Sequence, residues 1–351
     1  MEQLSSPSYP TISQRLSSDF DIIAAFIGYL VLLDSLEQVE LDPETLLTLR
    51  KEIGETFSLT IEFLRDRWDA EFAGAAGYEM EISDEPPRDG RTLNLTWQAK
   101  DVEGGAPRDP LVISAVRSLS LWLREDESLR KEAGGIMDLF LGLWKISIED
   151  HTRGEKSQLE QQQLTIDYRL WLVGALEGTI TEKNGREAFQ SQGGWDLLWN
   201  DIKRTYTNTN PSTSHMDTDE AVRLAVEEIR VLVEFIRESS FMEISFLDNK
   251  FLEVARVARV SNVPEEAAPL GGITPWVTLD IAVLQLAAAC LKKIPRDSRV
   301  QRVSEAEKVR TLTRKLGGYI QGNSGAGEAG VENQEEAVYI LAEVMEDLGL
   351  V

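Results

Sequence analysis

Few residues of this sequence could do nucleophilic, metal or acid–base chemistry by type and spacing. It has two histidines, His151 and His215, and one cysteine, Cys290. Three such residues, far apart along the chain, do not supply the four Cys or His ligands of a structural zinc site. A single thiol cannot close an intramolecular disulfide. Cys290 sits in the apolar segment Val277–Leu291, so a buried, inert thiol is expected. His151 and His215 fall in polar stretches beside Glu149, Asp150 and Asp217, where solvated loop histidines are expected. Gly322–Gly330 is glycine-rich but has no lysine, so it is not a phosphate cradle. The H-E-x-x-H and G-x-S-x-G patterns are missing. General acid–base catalysis needs two carboxylates brought together, and spacing does not single out a pair among 60 acids. The expectation is a protein that is not an enzyme and holds no cofactor and no metal.

The acids matter for another reason. Against 36 Lys and Arg they leave a formal charge of −24, which repels nucleic acid and steers basic partners inward. One segment opposes that sign: Lys292–Lys315 holds nine basic residues and three acids. Within it Arg296, Arg299 and Arg302 step by three and would share one side of a helix. Two readings stand. The segment pairs with the protein's own acidic surface, or it docks an acidic partner or an anionic membrane. The eight tryptophans divide similarly between core and a peptide groove; as core residues each indole N–H would find a backbone acceptor.

These residues must be positioned by helices, because the apolar pattern repeats every three to four residues almost throughout. Residues 1–17, rich in Ser and Pro, read as a flexible lead-in to a single array over 18–351. The run Ile22–Leu33 is too short to span a membrane, has acidic flanks, and reads as a fully buried helix within Phe20–Leu36, capped by Ser18 or Asp19. Asp42-Pro43-Glu44 is an N-cap, a proline at N1 and a first-turn acid, opening a helix to about Phe72. A long loop at about 77–108 follows, with an alternating stretch, Arg91–Gln98, that could be a short strand. Asp109-Pro110 repeats the start chemistry for a helix over Leu111–Arg124. Its partner over Ser128–Ile146 carries Gly134, Gly135 and Gly142, where neighbours can approach closely. Further helices are expected at 158–176, 182–190, 194–206, 221–236, 241–260, 277–291, 304–320 and 334–348, with a flexible spacer at about 322–333. The segment 277–291 is apolar nearly all round and belongs in the middle of the array.

Helix-pair starts near 110, 158, 217 and 277, less their linkers, leave units of about 40–45 residues, the HEAT/armadillo period. The expected class is all-α: an armadillo/HEAT-like α-solenoid of stacked helix pairs.

Asp109–Leu143 reads DPLVISAVRSLSLWLREDESLRKEAGGIMDLFLGL. It resembles the neurochondrin family at Asp109, Pro110, Leu111, Ala115, Arg117, Leu119, Trp122, Leu123, Glu125, Leu129 and Glu132. Gly193-Gly194-Trp195, followed by Leu197 and Leu198, is similar to that family's "GGW..L" helix start. The resemblance implies an armadillo-type solenoid without known catalysis, of a fungal type, matching the middle and C-terminal parts of members that are generally longer. The motif residues are expected to be structural, with Arg117 paired to Glu125 or Glu132.

The function expected is a cytoplasmic, non-catalytic scaffold or adaptor. It would bind protein partners, basic ones by charge, on an acidic solenoid surface. The alternative is a trafficking-linked adaptor in peripheral contact with a membrane through 292–315, without a transmembrane segment. A chaperone-like binder of basic proteins is the third reading.

Overall fold

The computed structural model describes residues 8–35, 42–72, 109–156, 167–208, 216–239, 242–258, 275–295, 303–323 and 331–349. Among these the fold is all-α, with no strand. The loop at 77–108 with its alternating stretch, His215, and Arg296, Arg299 and Arg302 lie outside the described residues. The chain divides into two compact units, Met1–Gln192 and Gly193–Val351, each with its own apolar core.

In the first unit the helices are α1 (Tyr9–Ser35), α2 (Pro43–Phe72), α3 (Pro110–Glu125), α4 (Arg130–Ala133), α5 (Met137–Lys156), α6 (Arg169–Ile180) and α7 (Lys183–Ser191). α3 lies between α1 and α6 in one layer; α2, α5 and α7 make the other. Helix pairs stack in sequence order, as in an α-solenoid. The core between the layers is filled by Phe57, Ile61, Leu64, Leu119, Leu123, Phe140, Trp144, Leu176 and Phe189, all essentially inaccessible.

Start signals read from sequence hold where they combine a cap with proline. Asp42 accepts the Thr45 amide at 3.0 Å, and Asp109 accepts the Leu111 amide at 3.0 Å. Gly134–Ile136 forms a 3-10 turn that splits the expected helix 128–146 into α4 and α5. Gly142 makes room for the Trp68 indole, which would stand 2.2 Å from a Cβ there.

Several expectations change. α1 begins at Tyr9, so residues 9–17 are not a flexible lead-in. Its polar first turns are packed: Tyr9 and Ser13 are buried and hydrogen-bonded to Asp109. Ser18 and Asp19 therefore lie inside the helix and cap nothing. The run Ile22–Leu33 is not fully buried, because α1 is the outermost helix of its layer. Ala24 and Ile27 face inward, while Ile22 and Tyr29 are 68% and 52% exposed. His151 lies within α5 rather than in a linker, since Glu and Lys carry that helix on to residue 156. The helix expected at 158–176 is described only from Arg169.

The second unit holds α8 (Gly194–Asn208), α9 (Met216–Glu238), α10 (Ile244–Val257), α11 (Pro275–Lys293), α12 (Val303–Asn323) and α13 (Val331–Asp347). α12 and α13 extend into both ends of the expected spacer. α11 is central, packed on α9, α10, α12 and α13, as its all-round apolar pattern implied. Among the described helices it alone is long and apolar enough to cross a membrane, and it is the buried core helix of this unit. Its one acid, Asp280, is inaccessible and accepts the Tyr206 hydroxyl at 2.6 Å. Cys290, also on α11, is fully buried, and burial pushes its thiol up to about 12. The native protein is expected to resist iodoacetamide at pH 8 and to be alkylated at once in denaturant; native labelling at the rate of an exposed thiol would contradict this placement.

Candidate partner-docking surfaces

The residues singled out in the sequence divide into a buried latch, a structural seam and two exposed faces. The latch centres on Asp109. Its carboxylate, inaccessible to solvent, accepts hydrogen bonds from the Leu111 amide, from the Tyr9 hydroxyl at 2.5 Å and from the Ser13 hydroxyl at 3.1 Å. The Arg67 guanidinium of α2, itself 4% exposed, lies 3.9 Å away. One side chain thus ties α1 and α2 to the N-terminus of α3. Burial, and next the hydrogen bond to Asp109, push the Tyr9 phenol well above its ordinary range. Along the same seam Pro110 offers its carbonyl to the Ser17 hydroxyl at 3.2 Å, and Ser118 donates to the Phe20 carbonyl at 2.8 Å. Small serines let α1 and α3 approach closely, a signal visible in the Ser-rich start of the chain only once its helix is known.

Trp122 and Leu123 are core residues, Trp122 packing on the Phe57 ring at 5.7 Å. Glu125 ends α3, and exposed Glu132 accepts the Ser58 hydroxyl at 3.3 Å. Neither pairs with Arg117, a correction to the expectation: Arg117 is eight residues from Glu125, about 12 Å along the helix. Arg117 instead lies 3.7 Å from Asp21 of α1 and over the Trp171 ring of α6, 5.9 Å from its centroid. It is half-exposed.

Gly193 has φ +74°, the left-handed region that favours glycine, and Gly194 opens α8. Trp195 is buried against Phe235 and Phe246, with the Lys250 ammonium 5.8 Å above its ring and held by Asp196 at 2.6 Å. The tryptophan expectation fails on one point. Among the described residues the indole N–H groups of Trp122, Trp144, Trp195 and Trp199 meet no acceptor. Apolar packing, not hydrogen bonding, decides their orientation.

In the described part of the basic segment Lys292, Lys293 and Lys308 bond to the protein itself, while Arg314 and Lys315 are exposed. Lys293 donates to the Arg237 and Ser239 carbonyls at the end of α9, and Lys308 to the Ala255 carbonyl at the end of α10. Both satisfy orphan carbonyls at the negative pole of a helix. Arg130 and Arg186 do the same for α3 and α6. Sequence reading missed this device, because the cation lies on a different helix from the end it caps. Lys292 pairs with Asp347 at 2.6 Å, and Arg310 and Arg314 approach Glu307. Burial raises the Glu343 carboxyl, but hydrogen bonds from Arg237 and Gln285 outweigh it and hold the group below its ordinary range.

The acidic face is on α2. Glu44, Glu55, Glu62, Asp66 and Asp69 recur at three- and four-residue steps or their multiples, with Glu52 beside them, and all six are exposed. They form a ridge along a 30-residue helix, with Lys51 as the cation on that face, 3.7 Å from Glu55. Leu47 and Leu59 are exposed at its margins.

Comparison with known proteins bears on what this architecture belongs to. A protein of Schizosaccharomyces pombe described as uncharacterized is 25% identical over 234 residues, covering 64% of this chain and 35% of the relative. The chain thus spans about a third of the length of the curated relative it matches. No solved structure matches. The family model described as neurochondrin matches residues 1–240, which includes the Asp109 latch, the α3 motif and the Gly193-Gly194-Trp195 turn. The chain belongs to the neurochondrin family.

Proposed function

We propose that this protein is a non-catalytic, cytoplasmic scaffold that docks basic protein partners on the outward face of α2. The supporting observation is the ridge Glu44, Glu52, Glu55, Glu62, Asp66 and Asp69, exposed and almost unpaired along one side of a rigid helix. Stacked helix pairs suit such a role, since they present long surfaces on a stiff frame. Six like charges at this spacing accelerate encounter with cationic segments and lose most of that effect above a Debye length of about 8 Å at physiological salt.

The membrane-linked alternative rests on Arg296, Arg299 and Arg302; Lys292, Lys293 and Lys308 lend it little weight, being bonded to carbonyls and a carboxylate of the protein itself.

The test is a titration of the full chain with a fluorescein-labelled Lys/Arg-rich peptide at low and at physiological salt. Binding is expected at low salt, to weaken as salt rises, and to fall about tenfold in Glu55→Gln/Glu62→Gln/Asp66→Asn/Asp69→Asn. Binding that ignores both salt and these substitutions would overturn the reading.

A further inference from the structure

The layer of α1, α3 and α6 carries a surface of different character. On α3, Arg117, Leu121 and Arg124 follow at steps of four and three and share one exposed face. α6 holds both arginines in place. The Arg117 guanidinium lies on the Trp171 ring at 5.9 Å. The Arg124 stem runs over Gly174, 3.6 Å from where a Cβ would stand. Leu170, 47% exposed, precedes Trp171 on α6 and adds accessible apolar surface there. Neither guanidinium makes a hydrogen bond among the described residues: Asp21 and Glu125 stand at 3.7 Å, charge neighbours without N–H···O contact. Both pairs are exposed, and such pairs contribute little. Both forks are thus solvent-accessible, without a hydrogen-bonded acceptor, and positioned by stacking and packing. Arginine and tryptophan around an apolar centre is also the composition in which binding energy concentrates at interfaces.

We propose that this face docks an acidic, leucine-bearing segment of a protein partner, its carboxylates taken by Arg117 and Arg124 and its apolar side chain placed among Leu121, Trp171 and Leu170. The spacing fixes the partner's chemistry further. Seven residues of α3 separate the arginines by about 10.5 Å. That matches acids seven apart on a helix, which lie two turns apart on one face. Bidentate carboxylate recognition by arginine supplies the specificity, which lysine would not reproduce. Asp21, Glu125 and half-buried Glu177 of α6 lie on the same side and oppose an acidic ligand, so they set the affinity low and give the proposal a signed prediction.

The experiment is fluorescence anisotropy on the full chain with two labelled alanine-based helical peptides. One carries Glu at two positions seven apart with Leu between them; the other carries Gln at the same positions. The Glu peptide is expected to bind about tenfold tighter, to lose about tenfold in Arg117→Ala and in Arg124→Ala, and to gain about threefold in Asp21→Asn. All three substitutions are at exposed side chains, and circular dichroism checks that each variant remains helical. Equal binding of the two peptides, binding of neither, or arginine variants that bind like the parent would overturn the proposal. Each of these outcomes leaves the α2 ridge reading intact. Loss of basic-peptide binding in the α2 variants with the Glu peptide unaffected separates the two surfaces in the other direction.

Discussion

Asp109→Ala is expected to destabilise the chain by about 3–5 kcal/mol, the range found when one partner of a buried ionic network is removed. The reason is what the substitution leaves behind. Arg67, 4% exposed, loses one of its charge neighbours, the Tyr9 and Ser13 hydroxyls lose their acceptor, and the first turn of α3 loses its cap. The last of these alone costs about 0.5–2 kcal/mol. Asp109→Asn separates the contributions: asparagine caps a helix as well as aspartate and keeps the volume, but carries no charge for Arg67. The expected order of unfolding midpoints in urea is parent, then Asn, then Ala. Tyr9→Phe should fall nearer the parent, because it removes a donor and leaves the Asp109 carboxylate its other partners. It also has a pH signature. Since the Tyr9 phenol is raised in the folded state, its contribution is complete below about pH 10 and is lost as pH rises beyond, where only the unfolded chain ionises. Tyr9→Phe should therefore flatten the alkaline limb of the stability profile. An Ala variant within about 1 kcal/mol of the parent would show that Asp109 does not hold the three helices together.

Why this latch was hard to foresee follows from its parts. Asp109-Pro110 was legible as a helix start, because N-cap and N1 chemistry is local. The Tyr9 and Arg67 contacts span 100 and 42 positions of sequence, and nothing in the local pattern of either residue announces them. The same distinction runs through the molecule. The apolar pattern placed α9 and α11 within a few residues, α9 by a stripe that must meet a layer and α11 by being apolar all round. It failed at α1, whose Ser- and Pro-containing first turns look like a tail until α3 supplies their hydrogen-bond partners. It also failed to show that α1 has a wet side, because an apolar run does not reveal whether a neighbour lies beyond it. Composition gave −24 as one number. Its distribution, acids along α2 and cations turned inward onto the ends of α9 and α10, is a property of packing.

Gly178→Ala is the second substitution with a large expected effect, and it tests the seam that carries the Arg117–Arg124 face. Gly174 and Gly178 are four apart on α6 and both face α3. A Cβ at 178 would stand 2.2 Å from the Leu123 carbonyl oxygen and 2.9 Å from its carbon. These are backbone atoms, which a rotamer change cannot move aside, and the Leu123 oxygen also accepts a hydrogen bond from the Arg130 side chain at 2.9 Å. Accommodating one methyl therefore means separating α3 from α6 and disturbing the cap at the end of α3. Overpacking of this kind costs about 1–3 kcal/mol, and the upper end is expected here. Glycine content by itself is not the cause, as Gly54 shows. It too is inside a helix, but a Cβ there meets nothing within 4 Å. Gly54→Ala should stabilise by about 0.5–1 kcal/mol through the unfolded chain's lost freedom. The two substitutions are chemically identical and opposite in expected sign, so urea unfolding of the pair isolates the close approach of α3 and α6 from helix propensity. If both stabilise, the helices have room to spare, and the Arg124 stem is not held over α6 as the second docking face requires.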